Sequence, residues 1–305
     1  MPFQLTILGT SSALPTSNRY PTAQVLNVLG RFFLIDCGEG TQMQMRKYKI
    51  CISRIDHILI SHLHGDHIFG LIGLLSTMNL LGRKKDLHIY AHSELQRFLQ
   101  FQLDFLYPAD PIPFKLVFHP LNFKKEQIIF EDKRLTIKSF PLNHRIATCG
   151  FRFDERPPLP NLIKEQIQHF KIPIREMQRI KEGSDFTTET GEVIPNNLLV
   201  HPQKPGRSYA FCSDTAFLET IAENVRNVDL LYHEATFAED NRALATATYH
   251  STGKDAATIA RKAEVKKLLI GHFSARYKDQ SAILDEALLI FPDTIIAEEG
   301  LTISV

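Results

Sequence analysis

The chain has 305 residues, 44% hydrophobic and 23% charged, an ordinary globular composition with enough apolar material for a large core. Its 35 basic and 34 acidic residues leave a formal net charge of +1, so no global basic field announces a nucleic acid, and a polyanion would have to be met by a local patch. No segment approaches the ~20 apolar residues of a membrane span, and four scattered cysteines without a CxxC pair suggest a reducing, cytoplasmic setting without disulfides.

Phe3–Leu8 alternates and then meets Gly9. Residues 24–28 and 31–35 read as strands around Leu29-Gly30, a two-residue hairpin loop. Asp36 follows, and residues 37–48 are expected to be helical. Ile55–Ile60 is a short strand that ends at SHLHGDHIFG, residues 61–70. Residues 68–81 are apolar at helical spacing with Gly82 as the stop. A strand at 87–91 precedes a helix at 93–103 with Ser93 as its N-cap. Residues 113–121, 126–132 and 134–142 read as three strands of one meander, and 208–214 and 228–235 as further strands. The end alternates: helix at 251–264, strand at 266–273, helix at 281–291, strands within 294–305. This order predicts an α/β chain with two similar halves, each a sheet backed by helices.

From Asp154 to Arg207 the pattern loses its strands. The stretch opens on ERPPLP and continues with helical pieces at 161–172 and 173–183, the second with Pro173 at its start and Gly183 at its end. Polar DFTTETGE and then HPQKPGR follow. It reads as an insertion of residues 154–207 in an otherwise single domain of residues 1–305. A long surface excursion and an arm that grips a partner both fit its composition.

The chemistry lies at residues 62–67. His62 and His64 are two apart just past a strand, and in extended backbone such residues point the same way, so both imidazoles can address one metal ion. Gly65 allows a tight turn, and Asp66 and His67 then fall near a helix start, within reach of a second point close by. Packed without metal, these side chains would be buried polar groups in need of partners. Four donors in one loop do not close two metal sites, so others must come from strand ends elsewhere. His144, Asp214 and His272 each stand just beyond an apolar run. Singly, each reads as an ordinary loop or capping residue; their shared placement makes them candidates.

His62-Leu63-His64-Gly65-Asp66-His67 resembles the HxHxDH signature of the metallo-β-lactamase superfamily. ILGTSSALP at 7–15, LIDCGEGTQMQ at 34–44, CSDT at 212–215, HEATF at 233–237, HST at 250–252 and GHFSARY at 271–277 together resemble the ribonuclease Z family of tRNA 3′-processing endonucleases. The resemblance implies a four-layer αββα sandwich with an inserted arm and two Zn²⁺ per subunit, with Mn²⁺ as the alternative. His62, His64 and His144 would hold one ion, Asp66, His67 and His272 the other, and Asp214 would bridge them. Asp66 would orient the attacking hydroxide and accept its proton. His250, positioned by Glu234, would protonate the departing ribose 3′-oxygen. Ser274 and Arg276 would contact phosphate, and Asp36 would support a ligand rather than bind metal. The arm would clamp the elbow of precursor tRNA from the other subunit of a homodimer, through Lys164, Lys171, Arg175, Arg179 and Lys181, with Glu165, Glu176 and Glu182 diluting their charge.

Two stretches depart from the family. The arm lacks the usual glycine- and proline-rich run, and Pro15-Thr16-Ser17-Asn18-Arg19-Tyr20 stands where many members read PxKxRN. The rival readings are an arylsulfatase or small-molecule phosphodiesterase with the same metal centre, for which an arm is superfluous, and a non-catalytic RNA-binding subunit, against which the full set of seven ligand candidates speaks. A redox di-iron centre would carry Glu where this chain has His64.

Overall fold

The structure, a computed structural model, describes residues 2–305. The chain divides into two compact units, residues 2–131, 136–154 and 207–305 in one and residues 132–135 and 155–206 in the other.

The larger unit begins with β1 (Phe3–Gly9), β2 (Ala23–Val28) and β3 (Arg31–Ile35), an antiparallel ladder. Leu29 and Gly30 join β2 to β3 with φ of 56° and 85°, the two left-handed residues of a type I′ turn. Then follow α1 (Thr41–Lys47), β4 (Ile55–Leu59), α2 (Gly65–Ile68), α3 (Leu71–Leu80), β5 (Leu87–Ala91), α4 (Glu94–Leu106) and β6 (Leu116–Pro120). Strands β3 to β6 run parallel.

The helix expected over 68–81 is broken. A Cβ on Gly70 would stand 2.1 Å from the Gly38 carbonyl oxygen, and the Gly70 N–H is spent on the Cys37 carbonyl at 2.9 Å. The Cys37–Gly38 backbone therefore wedges between α2 and α3, which also delays α1 to Thr41. Ser93 takes the N-cap position of α4 but makes no side-chain capping bond; the Glu94 N–H goes to His92 Nδ1 at 3.3 Å instead.

The expected three-strand meander is also corrected. β6 pairs with β5, whereas β7 (Gln127–Glu131) and β8 (Leu135–Pro141) pair with each other in a second sheet. β6 and β7 are half-buried edge strands with apolar residues on both faces, so periodicity does not assign either to a sheet. A further strand, β9 (Cys149–Glu155), runs past the expected boundary at Asp154 and pairs antiparallel with β12 (Ser208–Cys212).

Between β9 and β12 the smaller unit contains α5 (Lys164–His169), α6 (Ile174–Lys181), β10 (Phe186–Thr187), β11 (Val193–Ile194) and α7 (Asn196–Leu199). Its two short strands form an antiparallel ladder that the polar sequence there does not reveal. Pro173 caps α6 and Gly183, at φ 104°, ends it. Ile172, Ile180, Phe186, Ile194 and Leu199 make a small core of this unit's own.

The larger unit resumes with α8 (Ile221–Asn224), β13 (Leu230–Glu234), α9 (Arg242–Thr248), α10 (Gly253–Lys262), β14 (Lys267–Gly271), α11 (Ser281–Leu288), β15 (Thr294–Ile296) and β16 (Thr302–Ser304). Two seven-stranded sheets result, ordered β16-β1-β2-β3-β4-β5-β6 and β15-β14-β13-β12-β9-β8-β7. Phe33 of the first meets Phe153 of the second edge-on at 5.6 Å. The outer face of the first carries Leu34, Ile58 and Ile89 against Leu74, Leu95 and Leu99 of α3 and α4. Leu231, Leu268 and Ile270 of the second pack on Ile221, Ile259 and Ile283 of α8, α10 and α11. Each such fully buried side chain contributes about 1.5–3 kcal/mol, and the stack is helix, sheet, sheet, helix. Among the described residues no helix is long and apolar enough to cross a membrane, and Cys37, Cys51, Cys149 and Cys212 are free thiols.

Candidate active site

Strands β3, β4, β8, β12, β13 and β14 end at one edge of the sandwich, and the residue at or just past each end turns inward. These are Asp36, His62, His144, Asp214, Glu234 and His272. Three of them, Asp36, Asp214 and His272, have φ of 56°, 59° and 60°. A left-handed backbone costs a non-glycine residue about 1–3 kcal/mol and persists only where surrounding contacts fix it. Here it swings the side chain from the strand's own face toward a shared centre.

His62 Nε2 lies 2.9 Å and His144 Nε2 3.3 Å from His64 Nδ1. Asp214 Oδ1 is 3.9 Å from both His62 Nε2 and His144 Nε2. Its other oxygen, Oδ2, is 3.1 Å from His67 Nε2 and 3.2 Å from His272 Nε2. Asp66 Oδ2 completes that second group at 3.4 Å from His67 Nε2 and 3.9 Å from His272 Nε2. The donor atoms of His62, His64, His144 and Asp214 all fall within 4.8 Å of one another, as do those of Asp66, His67 and His272. The seven side chains expected from the sequence are thus brought together, as two groups with Asp214 between them.

The chemistry of these donors fits metal. His67 and His272 are buried, and the Nε2 atoms of both have no hydrogen-bond partner although Asp214 is close. Unpaired buried nitrogens cost about 1–3 kcal/mol each, a cost that a divalent cation accepting both lone pairs removes. Burial lowers His62 well below the ordinary imidazole range, and lowers His64 and His144 as well; the neutral ring that results is the form that binds a metal. Burial would also lower His67, but Asp214, Asp36 and Asp66 drive it well above that range. Burial pushes Asp66 and Asp214 up, and the surrounding imidazoles outweigh it and hold both carboxylates ionised.

The far ring atoms are also tied down. Asp36 Oδ2 accepts from His67 Nδ1 at 2.7 Å and from the Ser61 hydroxyl at 2.9 Å. Thr236 Oγ1 stands 3.0 Å from His272 Nδ1, and the Tyr249 carbonyl 3.0 Å from His144 Nδ1. Such partners fix ring orientation and tautomer. Asp36 therefore fixes the ring of His67, a ligand candidate, and stands outside the two donor groups. Ser61, Thr236 and the Tyr249 carbonyl were not singled out from sequence. Thr236 lies inside HEATF and Ser61 directly precedes His62, so motif context held a signal for both; a backbone carbonyl leaves none.

His250 approaches from the segment between α9 and α10. Its Nδ1 is 3.0 and 3.2 Å from the two oxygens of the fully buried Glu234. Burial would lower this imidazole, but the Glu234 carboxylate lifts it to about 9, so it carries a proton at neutral pH. Thr252 closes the segment with a capping box on Asp255 at the head of α10.

A cleft of about 520 Å³ opens over the cluster, with His64, Asp66, His144, Asp214, His250 and Ser274 among its walls. Arg276 is not in the cleft wall: its guanidinium lies over Phe237, 5.4 Å from the ring centre, with Nε 3.3 Å from Ser274 Oγ. Arg19, in the stretch that departs from the family pattern, donates from Nη2 to the carbonyls of Ser274 and Tyr277 at 3.2 and 2.8 Å and so braces that loop.

Residues 3–156 match the family model of the anti-Pycsar protein Apyc1. The chain is 50% identical to a ribonuclease Z of Phocaeicola vulgatus over 99% of its own length and 97% of that protein's. It is 49% identical to a ribonuclease Z of Bacteroides fragilis over 99% of both chains. The crystal structure of the short form of human tRNase Z, ELAC1, superposes with a TM-score of 0.73 at 27% identity, covering 99% of each chain. The two-sheet sandwich is the metallo-β-lactamase fold, and the chain belongs to the family of the Apyc1 model and, along its whole length, to the ribonuclease Z family.

Proposed function

We propose that the chain is a zinc-dependent endoribonuclease that removes the 3′ trailer from precursor tRNA and leaves a 3′-hydroxyl on the tRNA. The observation that carries this reading is Asp214, whose Oδ1 faces His62 and His144 while Oδ2 faces His67 and His272. A carboxylate shared by two donor groups supports two ions per chain, one with His62, His64 and His144 and one with Asp66, His67 and His272. An imidazole-rich donor set favours Zn²⁺ over Mn²⁺. When bound, such a pair supplies Lewis-acid neutralisation of phosphate charge.

The chain's own groups do the rest. Ionised Asp66 orients the attacking water and takes its proton. The water oxygen bonds to phosphorus as the bond from phosphorus to the ribose 3′-oxygen breaks, and the phosphate stays on the trailer. His250, charged through Glu234, gives its proton to the departing oxygen. Ser274 contributes a hydroxyl at the cleft wall, and Arg276 a cation at its rim.

The smaller unit supports a clamp for the tRNA body. Lys164, Lys171, Arg175 and Arg179 are exposed and Lys181 is half-buried. Arg175 and Arg179 lie 3.8 and 3.2 Å from Glu176, so phosphate has to compete with that carboxylate. Such contacts position a substrate without reading its sequence. Phe101 and Phe105, 73% and 78% exposed on α4, form an apolar face of the kind that partners cover and support a homodimer. Free thiols support a cytoplasmic setting.

The test is the cut itself. Zinc-loaded protein and one precursor tRNA should give a single cleavage with a 3′-hydroxyl on the tRNA and a 5′-phosphate on the trailer. Turnover of bis-p-nitrophenyl phosphate with an intact precursor would favour a small-molecule phosphodiesterase instead.

A further inference from the structure

Among the residues that line the cleft, Arg145 is the one arginine or lysine. It directly follows the ligand candidate His144 and is exposed. Its Nη2 donates to the Ala247 carbonyl at 3.1 Å, in the last turn of α9, while His144 Nδ1 meets the Tyr249 carbonyl at 3.0 Å. Two successive side chains thus stitch the loop after β8 to the segment that presents His250. The bond to Ala247 aims the guanidinium and leaves most of its N–H donors outside that bond. Among the described residues no carboxylate forms a salt bridge with it.

The direction of the reaction then says which part of a substrate lies beside Arg145. This step rests on the proposed function. The oxygen that leaves toward His250 belongs to the last nucleotide of the tRNA body, so that nucleotide's own 5′-phosphate lies on the His250 side. That is the side to which Arg145 is tied. The scissile phosphate is served by the His and Asp cluster, and the trailer departs from the other side. We propose that Arg145 binds the phosphodiester immediately 5′ of the scissile one, the link between the last two nucleotides of the tRNA body. A planar fork of donors suits that anion better than a lysine would.

The experiment compares wild type, Arg145→Ala and Arg145→Lys, all full-length and zinc-loaded, on three substrates. These are a precursor tRNA, the same precursor with an uncharged methylphosphonate at that one linkage, and bis-p-nitrophenyl phosphate, which has no second phosphate. Arg145→Ala should raise KM for the precursor about tenfold with kcat within about twofold. The slope of log affinity against log salt should fall by about 1, and Lys should restore the slope but only part of the KM. The methylphosphonate should cost wild type about what the Ala variant loses, and cost that variant nothing more. Turnover of the small diester should stay within about twofold in all three proteins. An unchanged KM and salt slope, or a methylphosphonate penalty equal in wild type and Arg145→Ala, would overturn the assignment. So would a parallel loss on the small diester, which would make Arg145 a prop for Ala247. Wild-type protein that turns over the small diester but leaves the precursor whole would sink the functional reading and this one with it. A cleaved precursor indifferent to Arg145 would sink this one alone.

Discussion

Glu234→Gln separates the proton of His250 from the rest of the centre. Burial would lower His250 and the Glu234 carboxylate raises it, to about 9. At pH 7.5 an imidazole of that pKa is about 97% protonated, whereas one at the ordinary 6.5 is about 9% protonated. Loss of the charge should therefore cut the active form about tenfold at pH 7.5 and barely at pH 6. The glutamine also has a structural cost. Glu234 accepts from the Thr215 N–H at 2.6 Å, the Ser251 N–H at 3.1 Å and the Thr236 hydroxyl at 2.5 Å. An amide nitrogen in place of one oxygen leaves a buried donor facing a donor, a loss of about 1–3 kcal/mol in stability. The assay is kcat/KM on a precursor tRNA from pH 6 to 9.5, with thermal unfolding alongside. Because the acid works protonated, activity falls as pH rises through its pKa. The basic limb should lie at higher pH in wild type than in the variant, and in a His250→Ala background the Gln change should add little. An unmoved basic limb, or an equal loss at every pH, would refute the role given to Glu234.

Asp66→Ala should lower turnover by about 10²–10⁴-fold while precursor binding, measured by filter retention, changes little; an equal collapse of affinity would mean that Asp66 also holds the substrate. Replacing residues 162–200 by a short glycine linker should weaken precursor cleavage and spare the small diester. The ends to be joined are adjacent, since the His201 N–H bonds to the Asn161 carbonyl at 2.8 Å; parallel loss of both activities would contradict a clamp. Asp36→Asn should weaken zinc binding about 10–100-fold by titration calorimetry, because the amide no longer fixes the His67 ring. In wild type, zinc affinity should fall as pH falls, because His67, raised by its carboxylate neighbours, must give up a proton to bind.

The site was more legible than the fold around it. The ligand candidates announce themselves because imidazoles and carboxylates just past apolar strands have few other uses, and His62, His64, Asp66 and His67 lie within six positions. Strands were legible where both faces are buried, as at β12 and β13. What sequence left out depends on partners distant in the chain. The break at Gly70 is forced by the Cys37–Gly38 backbone, and α4 is capped by His92 rather than Ser93. The split of β6 from β7 is a choice between two sheets of like composition. Arg276, expected to contact phosphate, sits over Phe237 at the rim, while Arg145, unmarked by any motif, lines the cleft.

The account turns on two cations held by seven side chains, and the most direct check is the metal content of purified protein dialysed against excess zinc. It should hold two zinc ions per chain, and Asp214→Ala, which removes the shared carboxylate, should hold fewer than two. A wild-type chain that binds one ion or none under the same conditions would contradict it.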